Sequence, residues 1–332
     1  MDSLLVVLIV SFLATAIPTF FYIAIALWLD RYEKEPLWLI TVTFLWGAVP
    51  AIIVSLIAEI ALDIPIQTLV TGEATRDVIG AALVAPVVEE IAKAIPLFLI
   101  FSFYKREFDG LMDGLIYGSL VGFGFAMTEN VFYFLSAFDE GGWEALTILF
   151  VLRALVFGLN HALFTSALGA GLGYARYASN GLTRRIAPLV GLLGAIGLHM
   201  IHNFFVSTDV EFFCFISLFS DWLGVIAWLA LVFWATSLES KWIKEELAEE
   251  VDNGLLRPEH AQAAARYRTR LRDRWATLQE KGFGRAHRLS HLHALSAELA
   301  LKKRQLRLFG ETIHAAEVDK LRNQISQLVP AL

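Results

Sequence analysis

The sequence predicts an all-α, polytopic membrane helix bundle of about seven spans, followed by a cytoplasmic amphipathic helical C-terminal region. Three observations predict it. Apolar residues gather into long uninterrupted runs, the basic residues between runs alternate from side to side, and the composition turns polar at Glu239. Of 332 residues 57% are apolar, with a mean hydropathy of +0.59, above the roughly 45–50% apolar share of a soluble domain. A run of about 18 or more apolar residues crosses the hydrocarbon as a helix, because lipid offers the backbone no partner outside the helix itself.

The runs cover residues 4–29, 37–62, 78–104, 111–138, 145–175, 187–207 and 212–238. The first follows no positive residue and outruns a signal-peptide core, so a retained span is expected despite the cleavage-like Ala14-Thr15-Ala16. In the connections, Arg31, Lys34, Lys105, Arg106, Arg176, Arg184 and Arg185 fall on one side. Arg76 falls on the other, with Asp63, Glu73, Asp139, Glu140, Asp209 and Glu211. Basic loops face the cytoplasm, so the N-terminus is expected outside and the C-terminus inside. The one cysteine, Cys214, excludes an intrachain disulfide. No phosphate loop or dinucleotide fingerprint occurs, and no nucleic-acid partner is expected.

The net charge of −6 hides a division: most Lys and Arg lie in residues 239–332. Residues 1–238 are expected to form a transmembrane catalytic bundle and 239–332 a cytoplasmic helical tail. Within the tail, Leu271, Trp275 and Leu278, then Leu289, Leu292 and Leu295, then Leu321, Ile325 and Leu328 recur at helical spacing. Gly254, Pro258, Gly282, Gly284 and Gly310 punctuate them, predicting three or four amphipathic helices. The alternating Arg266, Arg268, Arg270, Arg272 and Arg274 read as a solvated face, with anionic lipid as the alternative contact. His287, His291 and His293 are read as polar-face residues and not as a metal site.

Charge inside a span costs a few kcal/mol or more, so each such residue marks a functional hypothesis. The third run carries Glu89, Glu90 and Lys93. Spacings of three and four put Lys93 on the face of both glutamates. An internal ion pair accounts for Lys93 and one of them. The fourth run carries Glu129 and Asn130 after Gly122 and Gly124, and Glu129 has Arg153 as a packing partner to consider. The fifth carries Arg153, Asn160 and His161, with Arg153 read as a structural counter-charge. The sixth carries His199, His202 and Asn203. At 1.5 Å per residue, Glu89, Glu129 and His199 come roughly 12–17 Å below the outer face, with His161 slightly deeper. Glu59 and Asp221, each alone in its run, read as structural or interfacial.

Taken in order, Glu89-Glu90-x-x-Lys93, Phe125-x-x-x-Glu129, the segment from Arg153 to Gly173 with His161-Ala162-Leu163-Phe164-Thr165, and His199-x-x-x-Asn203 resemble the PrsW family of intramembrane proteases, distant relatives of the CAAX-prenyl endopeptidases. The resemblance covers about residues 30–207. It implies regulated cleavage, in a bacterial plasma membrane, of a single-span or membrane-anchored protein of the anti-sigma-factor type. The related endopeptidases carry EExxxR and FxxxH where this chain has EExxK and FxxxE.

Peptide hydrolysis needs an activated water, a stabilised oxyanion and a proton for the leaving amine. Adjacent buried carboxylates can share one proton, as a general base and acid require. Glu89 is expected to activate water, Glu90 with Lys93 to orient it, and Glu129 with His161 to complete the water site. His199 and Asn203 are expected to face the oxyanion, with Lys93, Arg153 and His202 supporting. No cofactor is favoured. A zinc version would use His161, His199 and Glu89 or Glu129 with one open position, though no HExxH is present. A transporter using the Glu/His set as a proton relay is the reading from another class. A non-catalytic scaffold would leave the buried carboxylates unexplained.

Overall fold

The computed structural model describes residues 4–208, 211–309 and 312–331, and among them only helices and their connections occur. Asp209 and Gly310, used above as markers, lie outside the described residues. The chain forms two compact units, one of Met1–Leu29 with Glu35–Leu231 and one of Asp30–Lys34 with Val232–Leu332.

The first unit holds α1 (Leu4–Leu29), α2 (Leu37–Trp46), α3 (Ile52–Leu69), α4 (Glu73–Ile79), α5 (Ala85–Phe103), α6 (Leu111–Phe150), α7 (Asn160–Tyr177), α8 (Gly181–Val206) and the start of α9 (Glu211–Asp252). Its polarity is inverted. Phe12, Phe20, Phe21 and Ile57 are exposed, whereas Glu89, Glu90, Lys93, Asn130, His199 and Asp221 are buried. Lipid solvates the first set, and the second must satisfy its hydrogen bonds inside the protein. The molecule is an integral membrane helix bundle.

Among the described residues, five continuous helical runs are long and apolar enough to cross a membrane: Leu4–Leu29, Leu37–Leu69, Leu111–Tyr177, Gly181–Val206 and Phe212–Asp252. The sequence marked seven. Two of those share the 67-residue run Leu111–Tyr177, which reverses at Gly141 and Gly142, where Gly142 adopts φ 65°. The reversal sets Phe134 against Phe150, with ring centroids 6.3 Å apart. The run through α5 is absent from the five because Glu89, Glu90 and Lys93 interrupt its apolar composition.

Small residues grip α6 against α7. Gly114 faces Gly169, Gly118 faces Ser166, and a Cβ on Gly122 would stand 2.2 Å from the His161 carbonyl oxygen. Glycines at spacings of four let two backbones touch, which is how helices pack in lipid, where no hydrophobic force draws them together.

Among the described residues, three segments leave the α-helical register for π-type turns: Gly47–Ala51, Gly80–Val84 and Val151–Val156. Such turns release carbonyls from the regular ladder and recur at functional sites. The last corrects the continuous helix expected over 145–175. The chain unwinds at Phe157 (φ −107°, ψ 8°) and restarts at Asn160, so His161 sits in the first turn of α7. Tyr22 OH donates to the Ala154 carbonyl oxygen at 3.0 Å, supporting the break. Pro86 stands at the start of α5, and α5 continues through Pro96.

In the second unit, α9 ends beside α10 (Pro258–Ala265), α11 (Tyr267–Phe309, turning at Gly282 with φ 80°) and α12 (Thr312–Leu328). Ile243, Leu247, Leu256, Leu292, Leu299 and Ile325 form its core, and Tyr32 OH donates to Ala265 O at 2.8 Å. Glu250 accepts from Lys303 and from Arg322, each at 2.6 Å. The arginine row does not form one solvated face. Residues two apart in a helix point about 200° apart, and Arg270 turns inward, donating to Ala264 O with its guanidinium over the Tyr32 ring. Burial there lowers its pKa to about 10. His293 is buried beside His260, while His287 and His291 are exposed.

Candidate functional site

Helix α5 supplies the centre. Lys93, fully buried, donates to Glu89 Oε2 at 3.0 Å and Glu90 Oε1 at 2.9 Å, so it partners both carboxylates and not one alone. Its ammonium also lies 3.7 Å from the Phe125 ring centroid, on α6. Neighbouring donors supplement the one cation at Glu90. Thr165 Oγ1 donates to Glu90 Oε2 at 3.0 Å. His199 Nδ1 is 3.0 Å from Glu90 Oε1.

These contacts assign the imidazole tautomers. Glu90 is an acceptor, so His199 carries its proton on Nδ1 and presents a lone pair at Nε2. That Nε2 stands 3.9 Å from Glu89 Oε2, beyond hydrogen-bond reach. His161 has the opposite arrangement. Its Nδ1 accepts from Lys93 at 3.1 Å, and its Nε2 donates to Glu129 Oε2 at 2.9 Å. Four helices therefore converge: α5 with Glu89, Glu90 and Lys93, α6 with Glu129, α7 with His161 and Thr165, and α8 with His199.

Glu129 also accepts from Arg153 Nη2 at 2.6 Å, and Arg153 Nε donates to Asn130 Oδ1 at 2.7 Å. The packing contact and the cluster contact both exist at Glu129. Arg153 closes this edge and rests over the Tyr133 ring, 3.6 Å from its centroid.

Two further residues have partners outside the Glu89 cluster. Asn203 Nδ2 donates to Ala81 O at 2.9 Å, holding the π-type turn before α5. His202 turns away from His199 to Asp221 Oδ2, at 2.7 Å. The His199 expectation also changes: a ring donating through Nδ1 offers Nε2 as an acceptor, not as an oxyanion donor. Asp221 is not an isolated structural charge, since Asn160 Nδ2 and Ser217 Oγ reach the same oxygen at 2.9 and 3.1 Å.

A cleft of about 1380 Å³ opens onto the cluster, lined by Glu59, Glu89, Glu129, His161, His202 and Asn203 among others. Sequence reasoning gave Thr165 and Ser217 no role and read Asp221 as structural or interfacial. Thr165 stands four residues after His161 on one face, a signal that was readable. Asp221 gave only a lone acid in an apolar run, and its partners come from other helices. Glu89, His161 and His199 offer one carboxylate oxygen and two imidazole nitrogens within 4.8 Å of one another, a grouping able to hold a metal ion.

A family profile described as PrsW family intramembrane metalloprotease matches residues 35–236. Three curated proteins called Protease PrsW are similar. The one from Geobacillus kaustophilus is 31% identical over 49% of this chain and 63% of its own length. The one from Oceanobacillus iheyensis is 30% identical over 58% and 81%, and that from Clostridioides difficile 29% over 54% and 72%. The chain thus spans less than two thirds of the Geobacillus relative. No solved structure matches.

Proposed function

The chain belongs to the PrsW family of intramembrane proteases, and from that premise we propose that it cleaves a single-span or membrane-anchored protein by hydrolysis at the Glu89 cluster. The observation that carries the reading is Glu89 Oε2 and His199 Nε2 facing each other across 3.9 Å, a gap that one water can bridge. A water donating to both is oriented by His199 and loses its proton to Glu89 as the lone pair attacks the carbonyl carbon. Glu90 fixes the His199 tautomer from behind, in the way that a carboxylate orients a catalytic imidazole. Lys93 aligns both glutamates. Asn203 uses one amide hydrogen on Ala81 O and offers its second to the developing oxyanion, where one such donor is worth about 10²–10³ in rate. Glu129, His161 and Arg153 form the wall that positions Lys93.

The grouping of Glu89, His161 and His199 favours a second reading. One carboxylate and two imidazoles match the donor chemistry of catalytic zinc with an open position. Bound there, a divalent ion would polarise the carbonyl and acidify water. Glu129 Oε2, the other carboxylate considered, is already engaged by Arg153 and His161.

We place the active bundle in residues 1–238 and the helical tail in 239–332, with the N-terminus outside a bacterial plasma membrane and the C-terminus cytoplasmic, on the alternation of basic connections. An anti-sigma-type membrane protein is the substrate class in this reading. The test is reconstitution in vesicles with a single-span reporter, comparing the wild type with Glu89→Gln. Loss of cleavage with folding intact supports hydrolysis. Unchanged cleavage removes Glu89 from the chemistry, and proton flux abolished by the same substitution would establish a transporter instead.

A further inference from the structure

The hydrolysis above leaves one requirement unmet: a proton for the departing amine. A second imidazole stands on the cleft wall, engaged by a different network.

Asp221 of α9 gathers three donors on one oxygen. His202 Nδ1 lies 2.7 Å from Oδ2, Asn160 Nδ2 2.9 Å and Ser217 Oγ 3.1 Å. They come from α8, α7 and α9, and Asp221 is only 5% exposed. No Lys or Arg bonds to Asp221 among the described residues, so these donors satisfy its buried oxygen. The contact fixes His202 with Nδ1–H toward Asp221. Phe157 and Phe164 pack on the ring, with centroids 5.3 and 5.8 Å away, fixing its plane. Nε2 has no hydrogen-bond partner among the described residues, and His202 lines the same cleft as Glu89 and His161. Asn160 immediately precedes His161, so the two networks meet at the first turn of α7.

We propose that His202, held by Asp221, is the general acid that protonates the leaving amine, and that Asp221 is its positioning residue. The proposal rests on the hydrolytic reading. In the step, the C–N bond of the tetrahedral intermediate breaks, its electron pair takes the proton from His202 Nε2, and the imidazolium becomes the neutral Nδ1–H form. The proton that Glu89 took from water returns to His202 through solvent in the cleft, so no other reactant is consumed. The other titratable or charged groups facing this cleft are Glu59 and Asp63 on α3, Glu89, Glu129, Tyr133, Arg153, His161 and Cys214.

The experiment uses the full chain in vesicles with a single-span reporter, measuring kcat and KM against pH. His202 must be protonated to act, so the wild type loses activity on the alkaline side. Asp221→Asn is expected to move that limb to lower pH and lower kcat about 100-fold with KM little changed, in the range general acid catalysis supplies. Asp221→Glu is expected to restore part of it. A second variant, His202→Gln, is expected to remove the limb and to slow an amide reporter far more than one carrying an aryl ester at the same position, since an aryloxide leaves without protonation. An unmoved alkaline limb in Asp221→Asn, or equal losses on amide and ester in His202→Gln, would overturn the assignment while leaving hydrolysis by Glu89 standing. Absence of cleavage by the wild type would remove both.

Discussion

Lys93 Nζ and His161 Nδ1 lie 3.1 Å apart although 68 residues separate them in the chain. The contact joins the charged face of α5 to the restart of α7, and it makes Lys93 the partner of three groups. Lys93→Met would leave Glu89 and Glu90 buried without their cation. Breaking a buried ion pair from one side typically costs about 3–5 kcal/mol. The thermal midpoint in detergent should fall accordingly, and Lys93→Arg should recover less than half, because a planar guanidinium cannot reproduce the three directions of the ammonium.

The approach of α6 to α7 is equally specific. Gly122→Ala puts a Cβ 2.2 Å from His161 O, against backbone that cannot rotate away. The variant is expected to lose about 1–3 kcal/mol, as overpacking does, and to lose cleavage by displacing His161. Gly181→Ala, at a position with open space around it, should change neither in the same melting and cleavage measurements.

Much of this site was legible in the sequence, and the reason is physical. Lipid permits few polar residues, so Glu89, Glu90, Lys93, Glu129, His161 and His199 stood out individually, and helical rise alone put several at one depth. Their partners were less legible. Spacing on one helix predicts Lys93 beside Glu89 and Glu90, but nothing in a linear pattern pairs His202 with Asp221 or Asn203 with Ala81 O. The π-type turns and the break before Asn160 also had no clear mark, since apolar composition runs through them unchanged.

In the second unit, burial, with His260 and Arg270 nearby, holds the His293 pKa down to about 3, from an ordinary 6.5. The folded state therefore binds this proton less readily than the unfolded chain. Stability from this site is fully present above pH 6.5 and is lost as pH falls from 6.5 toward 3. Amide exchange in residues 286–301, corrected for its intrinsic pH dependence, should accelerate between pH 7 and pH 4.5. His293→Leu should flatten that dependence.

The glutamate reading predicts that dialysis against a strong chelator leaves cleavage in vesicles intact. Loss of cleavage restored by zinc alone would transfer the chemistry to the ion held by Glu89, His161 and His199.

The shared site is tested most directly by a double-mutant cycle on the cleavage rate, using Glu89→Gln, His199→Ala and both together, each checked for an unchanged melting midpoint. Residues acting on one water lose their effect together. Each single variant is expected to fall at least about 100-fold, and the double variant to be no slower than the worse single one. Losses that multiply, or a single variant that keeps the wild-type rate, would contradict a common site for the two residues.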